Sequence, residues 1–130
     1  MSDVRFKMFP HEQTGTAKPD ESVALRILKL VDALPRTPAG RAISNQLVRS
    51  ATSVGANYRA ACRARSRAEF AAKLGTVLEE ADESLYWLEM IRDGEFMSES
   101  KLSLLLREAN ELTAIVAAER KSAMRATSKI

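Results

Sequence analysis

The side chains of this sequence best placed to do chemistry are arginines. At 100° per residue, Arg41, Arg49, Arg59 and Arg63 fall within an arc of roughly 80° on one helical face, and Arg65 and Arg67 follow at once. Guanidinium forks along ~33 Å of helix offer paired donors to phosphate oxygens, or to the carboxylates of a neighbouring helix. Nothing among them can carry a reaction. His11 is the only histidine and Cys62 the only cysteine. The chain therefore lacks the paired Glu-x-x-His motifs of di-iron bundles and haem ligation, as well as a Cys/His or Ser/His/Asp set. It also lacks the Arg-plus-His pair that a helical ribonuclease needs near neutral pH, and no Gly-rich phosphate loop is present. Glu79, Glu80, Asp82 and Glu83 spread around a helix instead of converging, which reads as a solvated or salt-bridged face. The expectation is a non-enzyme with no catalytic residue, no metal and no cofactor.

The charge is polarised. From Arg36 to Lys73 there are eight Lys or Arg against Glu69 alone, whereas from Glu79 to Glu99 eight Asp or Glu stand against Arg92 alone. The formal net charge of +3 and pI near 9.2 conceal this asymmetry, which bears on partners and self-association. A chain of 130 residues makes one domain able to bury a core without metal or disulfide support. Cys62 alone permits no intrachain disulfide and reads as a small buried apolar group in a reducing compartment. The N-terminus lacks a signal-peptide core, and no apolar run approaches the ~20 residues of a membrane span, so a cytoplasmic protein without membrane contact is expected.

Four helices position these groups. Residues 1–19, with Pro10, Gly15 and Pro19, read as a flexible arm, or as one anchored to a neighbour by Phe6, Met8 and Phe9. From Asp20, the stripe Val23, Ile27, Leu30, Val31 and Leu34 predicts a helix ended by Pro35. Thr37 as N-cap and Pro38 at the first turn open a second helix running to about Ala64. Its core face is Ile43, Leu47, Ala51, Val54, Tyr58 and Ala61, with Cys62 at the edge, and Gly55 suggests tight packing. Ser66 and Glu69 form a capping box for a third helix, with core stripe Phe70, Leu74, Val77, Ala81, Leu85, Leu88 and Ile91 and a stop at Asp93-Gly94. A fourth runs from about Ser98 to Met124 on Leu102, Leu105, Ala109, Leu112, Val116 and Ala117, after which the pattern lapses and a frayed tail over 126–130 is expected. Short connections then imply an all-α, antiparallel up-down-up-down four-helix bundle over 20–125. Tyr86 and Trp87 lie off the centre of their stripe, where they either anchor an interface or cover the rim of the subunit's own core.

The run from Gln46 to Asn57, with Glu69-Phe70 and the segment from Glu80 to Leu88, resembles the four helix bundle protein family. That family includes proteins encoded in intervening sequences of bacterial large-subunit rRNA genes and the accessory variability determinant of diversity-generating retroelements. The likeness covers roughly residues 22 to 120. It implies a cytoplasmic, non-enzymatic accessory protein that forms a ring-like homopentamer, and in the retroelement branch one that binds nucleic acid and a reverse transcriptase. Arg49 and Asn57 match motif positions on the second helix. Where many members continue Ile-Ala-Glu-Gly, this chain reads Tyr58-Arg59-Ala60-Ala61, which makes the face more basic.

Two main readings follow. In the first, Arg41, Arg49, Arg59, Arg63, Arg65 and Arg67 bind RNA or DNA by charge and shape, without reading bases. In the second, the Arg face is consumed by Glu79, Asp82, Glu83 and Glu89 within or between subunits of a homo-oligomeric scaffold or adaptor, with Asn57, Tyr58, Tyr86 and Trp87 at the contacts.

Overall fold

The two central helices start on side-chain caps. The computed structural model describes residues 19–128, with side chains from 22 to 126. Most of the proposed N-terminal arm and the last two residues of the expected tail lie outside that range. The described residues form four helices: α1 (Pro19–Val31), α2 (Pro38–Cys62), α3 (Arg67–Asp93) and α4 (Glu99–Ser128). Thr37 Oγ1 accepts the Gly40 N–H at 3.1 Å, with Pro38 at the first helical position. Gly40 is required there because a Cβ would meet the Pro35 carbonyl oxygen. Ser66 Oγ accepts the Glu69 N–H at 3.0 Å, but Glu69 reaches past the cap to the Arg65 N–H at 3.1 Å, one residue beyond the expected box.

The helix ends differ from expectation in instructive ways. α1 stops at Val31, well before Pro35, in a tightened turn in which Ala33 and Leu34 donate to Leu30 and Val31. At the end of α3, Gly94 keeps a right-handed φ of −81°, and Glu95 takes the left-handed position with φ 57°. Glu95 N–H then bonds Arg92 O and Phe96 N–H bonds Ile91 O, the Schellman pattern. Gly94 serves a different purpose: a Cβ would lie 2.6 Å from the Phe96 ring, which folds back onto the core. α4 continues through Ser128 instead of ending at Met124, and its last turns keep Ala123 buried in the core.

α2 packs between α1 and α3, α4 packs on α3, and α4 closes the bundle against α1. There Arg26 Nη1 donates to Glu108 Oε1 at 3.2 Å. The lining of the α1–α4 groove places the last turn of α1 beside the start of α4, so neighbouring helices are antiparallel. At 1.5 Å per residue, the 13 residues of α1 cover only ~20 Å, against ~45 Å for the 30 of α4. The core divides accordingly. An upper cluster joins Val23 and Ile27 of α1, with Leu34 of the turn that follows it, to Leu47, Leu88, Ile91 and Leu102. A lower cluster of Val54, Tyr58, Ala61, Phe70, Leu74, Val116 and Ala123 contains no α1 residue.

Between them lies a small polar contact. Ser84 Oγ, which also lies 2.9 Å from Glu80 O, is 3.0 Å from the buried Ser50 Oγ. Ser84 is thus a core residue where Leu85, expected there, is only half-buried. The α2 core face lies where its periodicity put it, with Leu47, Tyr58 and Ala61 at 0–1 % exposure.

Candidate nucleic-acid interface

The six candidate arginines do not form one continuous stripe. Arg49, near the middle of α2, is engaged: its Nη1 donates to Glu80 Oε2 at 3.2 Å, and its Nη2 is paired with Glu83. The hydrogen bond to Glu83, together with the charges of Glu80 and Glu83 and against some desolvation, raises its pKa above the ordinary guanidinium value. Glu83 also accepts Trp87 Nε1 at 3.3 Å, and Trp87 stands edge-on to Tyr86 with ring centroids 4.9 Å apart. One chain of contacts therefore runs from Arg49 through Glu83 to the two aromatics. The sequence reading marked Glu83 but not Glu80; their i, i+3 spacing on α3 is the signal that both carboxylates share a face.

Arg41 lies toward one end of α2, and its Nη1 donates to the Arg36 carbonyl oxygen at 2.7 Å. Arg59, Arg63, Arg65 and Arg67 lie at the other end, around the α2–α3 turn. All four are exposed, and their side chains make no hydrogen bond or ion pair with described residues. Glu69, the acid nearest in sequence, is occupied by the Arg65 N–H and by Lys73 at 3.9 Å. Because Ala123 sits in the same cluster as Tyr58, Ala61 and Phe70, the last turns of α4 bring Arg120, Lys121 and Arg125 to this end as well. Arg120 is half-buried against Gly75, where a Cβ would lie 3.2 Å from its Nε.

This second contribution was missed because the apolar repeat of α4 reads as stopping at Ala117. It does not stop. Residues 102, 109, 116 and 123 recur every seven, and so do 105, 112 and 119, where the third position holds Glu119 instead of a leucine. Both Glu119 oxygens are buried without a hydrogen-bond partner among the described residues, as is Arg120 Nε. Desolvation alone pushes the Glu119 carboxyl up to about 7.

Of the residues read as contacts, Asn57 is half-buried with its Nδ2 donating to Ser53 O at 2.9 Å. Tyr58 is 1 % exposed within the lower core, Tyr86 is 50 % exposed, and Trp87 packs partly on the upper core. Gly55 is half-buried, and the close approaches fall instead at Gly40, Gly75 and Gly94. Among the described residues no group of His, Cys, Asp or Glu is arranged to hold a metal ion, and no helix is long and apolar enough to cross a membrane. What the geometry offers chemically is a set of forked cationic donors at one end of a rigid bundle.

Residues 18–118 match the family model described as 23S rRNA-intervening sequence protein. The chain belongs to this family. A solved structure from Bacteroides thetaiotaomicron, a protein with unknown function from the S23 ribosomal protein family, is 33% identical with a TM-score of 0.73. The alignment covers 79% of this chain and 95% of that one. Among curated proteins none matches. In this member of the 23S rRNA-intervening sequence protein family, the matched span takes in the whole α2–α3 turn and ends within α4, just before Glu119.

Proposed function

We propose that this chain is a non-enzymatic bundle that binds RNA by charge and shape through its lower end. The observation that carries the reading is the set Arg59, Arg63, Arg65 and Arg67, exposed and without side-chain partners among the described residues, at the same end as Lys121 on α4. Phosphate contacts from such a set supply affinity without sequence preference. The family's name supports RNA as the polyanion. An accessory role beside a reverse transcriptase has the resemblance behind it, and would use the same cationic end.

The test is fluorescence anisotropy of a labelled RNA of about 20 nucleotides across a salt series. Log affinity should fall linearly with log salt, by roughly 0.7 to 0.9 per phosphate neutralised. Binding that is absent at low ionic strength, or insensitive to salt, overturns the reading.

A homo-oligomeric scaffold is the second reading. It is favoured by the exposed apolar side chains Tyr86 and Met90 on α3 and Leu104 and Ile115 on α4. Tyr86 and Met90 stand one turn apart, flanked by Asp82 and Glu89, which suits an apolar contact with a charged rim. Native mass spectrometry decides it: a ring is expected, five-membered if the family resemblance holds, and a monomer at micromolar concentration removes the scaffold. The readings are compatible, since a ring would multiply the basic ends.

A further inference from the structure

The upper end of the bundle holds a pocket that the cationic surface does not require. It lies in the angle between the end of α1 and the second and third turns of α2, with a volume of about 340 Å³. That is at the lower end of the ~300–1,000 Å³ typical of small-molecule sites. Its floor is apolar, made by buried Leu34 and half-buried Val31 and Val48. Its polar groups converge from both elements: Asp32 and Arg36 from the α1–α2 connection, Arg41, Ser44 and Asn45 from α2. Arg41 is held by its bond to the Arg36 carbonyl, whereas the side chains of Asp32, Arg36, Ser44 and Asn45 make no hydrogen bond with described residues. A concave site with an apolar floor and uncommitted donors and acceptors is built for a ligand that has all three kinds of surface.

We propose that this pocket receives one unpaired ribonucleotide of an RNA. The flat face of a base suits the Val31, Leu34 and Val48 floor, with Ser44 and Asn45 at its hydrogen-bonding edge. Arg36 and Arg41 meet the phosphate as charge-assisted donors. Asp32, the one carboxylate among the described residues of the site, repels phosphate but accepts from ribose hydroxyls, which fixes the order of groups across the pocket and favours ribose over deoxyribose. A bare anion would use only the arginines and leave the floor and Asp32 unexplained. The proposal rests on the reading that RNA is the partner and adds to it a contact that needs a base out of its stack.

Amide shifts of the ¹⁵N-labelled full chain, titrated with 5′-AMP, its 2′-deoxy analogue and inorganic phosphate, test this directly. AMP should shift amides between Val31 and Val48 and saturate in roughly the millimolar range. The deoxy analogue should bind about 5-fold more weakly, the loss of one ordinary hydrogen bond. Phosphate binding as tightly as AMP, or AMP shifts confined to the Arg63–Arg67 end, overturns the proposal. Val48→Phe fills the floor and should abolish the AMP shifts while leaving the affinity for blunt duplex RNA unchanged. Asn45→Ala, on the exposed rim, serves the same purpose if Val48→Phe fails to fold. AMP binding at the pocket without any long-RNA binding would sink the preceding reading and, with it, the claim that the nucleotide belongs to an RNA, leaving a site for a free mononucleotide. Long-RNA binding with no AMP shift would do the reverse.

Discussion

Arg49 lies on α2 and Arg63 caps its C-terminus about four turns further on, yet one is committed and the other is not. The difference comes from the opposite helix. Opposite Arg49, α3 presents Glu80 and Glu83 one turn apart, and both reach the guanidinium. Around Arg63, α3 is only beginning, and its first-turn acid, Glu69, is spent on the Arg65 N–H and Lys73. A basic stripe drawn from one helix therefore becomes two separate regions once its neighbour is in place. Polarity that looks like a contrast between two helix faces turns into a contrast along the bundle axis.

The largest effect should come from reversing the free end. Replacing Arg63, Arg65 and Arg67 together with Glu should lower RNA affinity at low salt by more than roughly 100-fold. The salt slope should shrink by about 2, taking ~0.7 per lost contact with a single strand. All three are exposed and make no side-chain bond within the described chain, so the fold should persist by circular dichroism. A triple variant that folds and still binds with an unchanged salt slope would erase the distinction between the two regions.

A middle-sized effect concerns Glu119, the acid buried at the basic end. An unfolded carboxyl titrates near 4.5 and this one near 7, so between those values the folded state holds the extra proton. Stability must then fall as pH rises through that window and level off above it. The full displacement would correspond to ~3 kcal/mol, but the residue as a whole is only half-buried, and about 1 kcal/mol is the reasonable expectation. Glu119→Gln should therefore raise the melting temperature at pH 8 by about 4 °C, have almost no effect at pH 4, and flatten the profile between. Equal effects at both pH values would mean that packing, not desolvation of the charge, is what Glu119 costs. Polyanion bound at this end should also favour the protonated form, making wild-type affinity higher at pH 6 than at pH 8, a difference that Glu119→Gln should remove.

What was legible in the sequence follows the same division. Periodicity located the α2 core, because Ile43 to Ala61 is an uninterrupted run of apolar residues at helical spacing. The caps at Thr37 and Ser66 were visible because a side-chain oxygen three residues before an N–H it can satisfy is a local matter. The end of α4 was not legible, since Glu119 occupies a core position and hides the repeat that Ala123 resumes. Ser84 was passed over for Leu85 because a hydroxyl can be buried only with a partner, and Ser50 lies on another helix. The state of each arginine was beyond reach for the same reason: nothing within α2 says which turns will face Glu80 and Glu83.

The smallest effect is the sharpest test of the comparison. Arg49→Ala should change RNA affinity by less than about 2-fold, because a guanidinium already shared by two carboxylates contributes little to the field at the surface. The converse experiment is more demanding. Glu80→Gln with Glu83→Gln removes both acceptors of formal charge and releases Arg49 to join Arg59 on the same face. RNA affinity should then rise by roughly 2- to 5-fold at low salt, with a steeper salt dependence. Because Trp87 Nε1 donates to Glu83, a small change in its fluorescence should report that the local contact was altered. If affinity rises equally when Glu83→Gln is combined with Arg49→Ala, the gain comes from deleting negative charge alone. The carboxylates would then act at a distance, and the commitment of Arg49 would be a consequence of the field instead of its regulator.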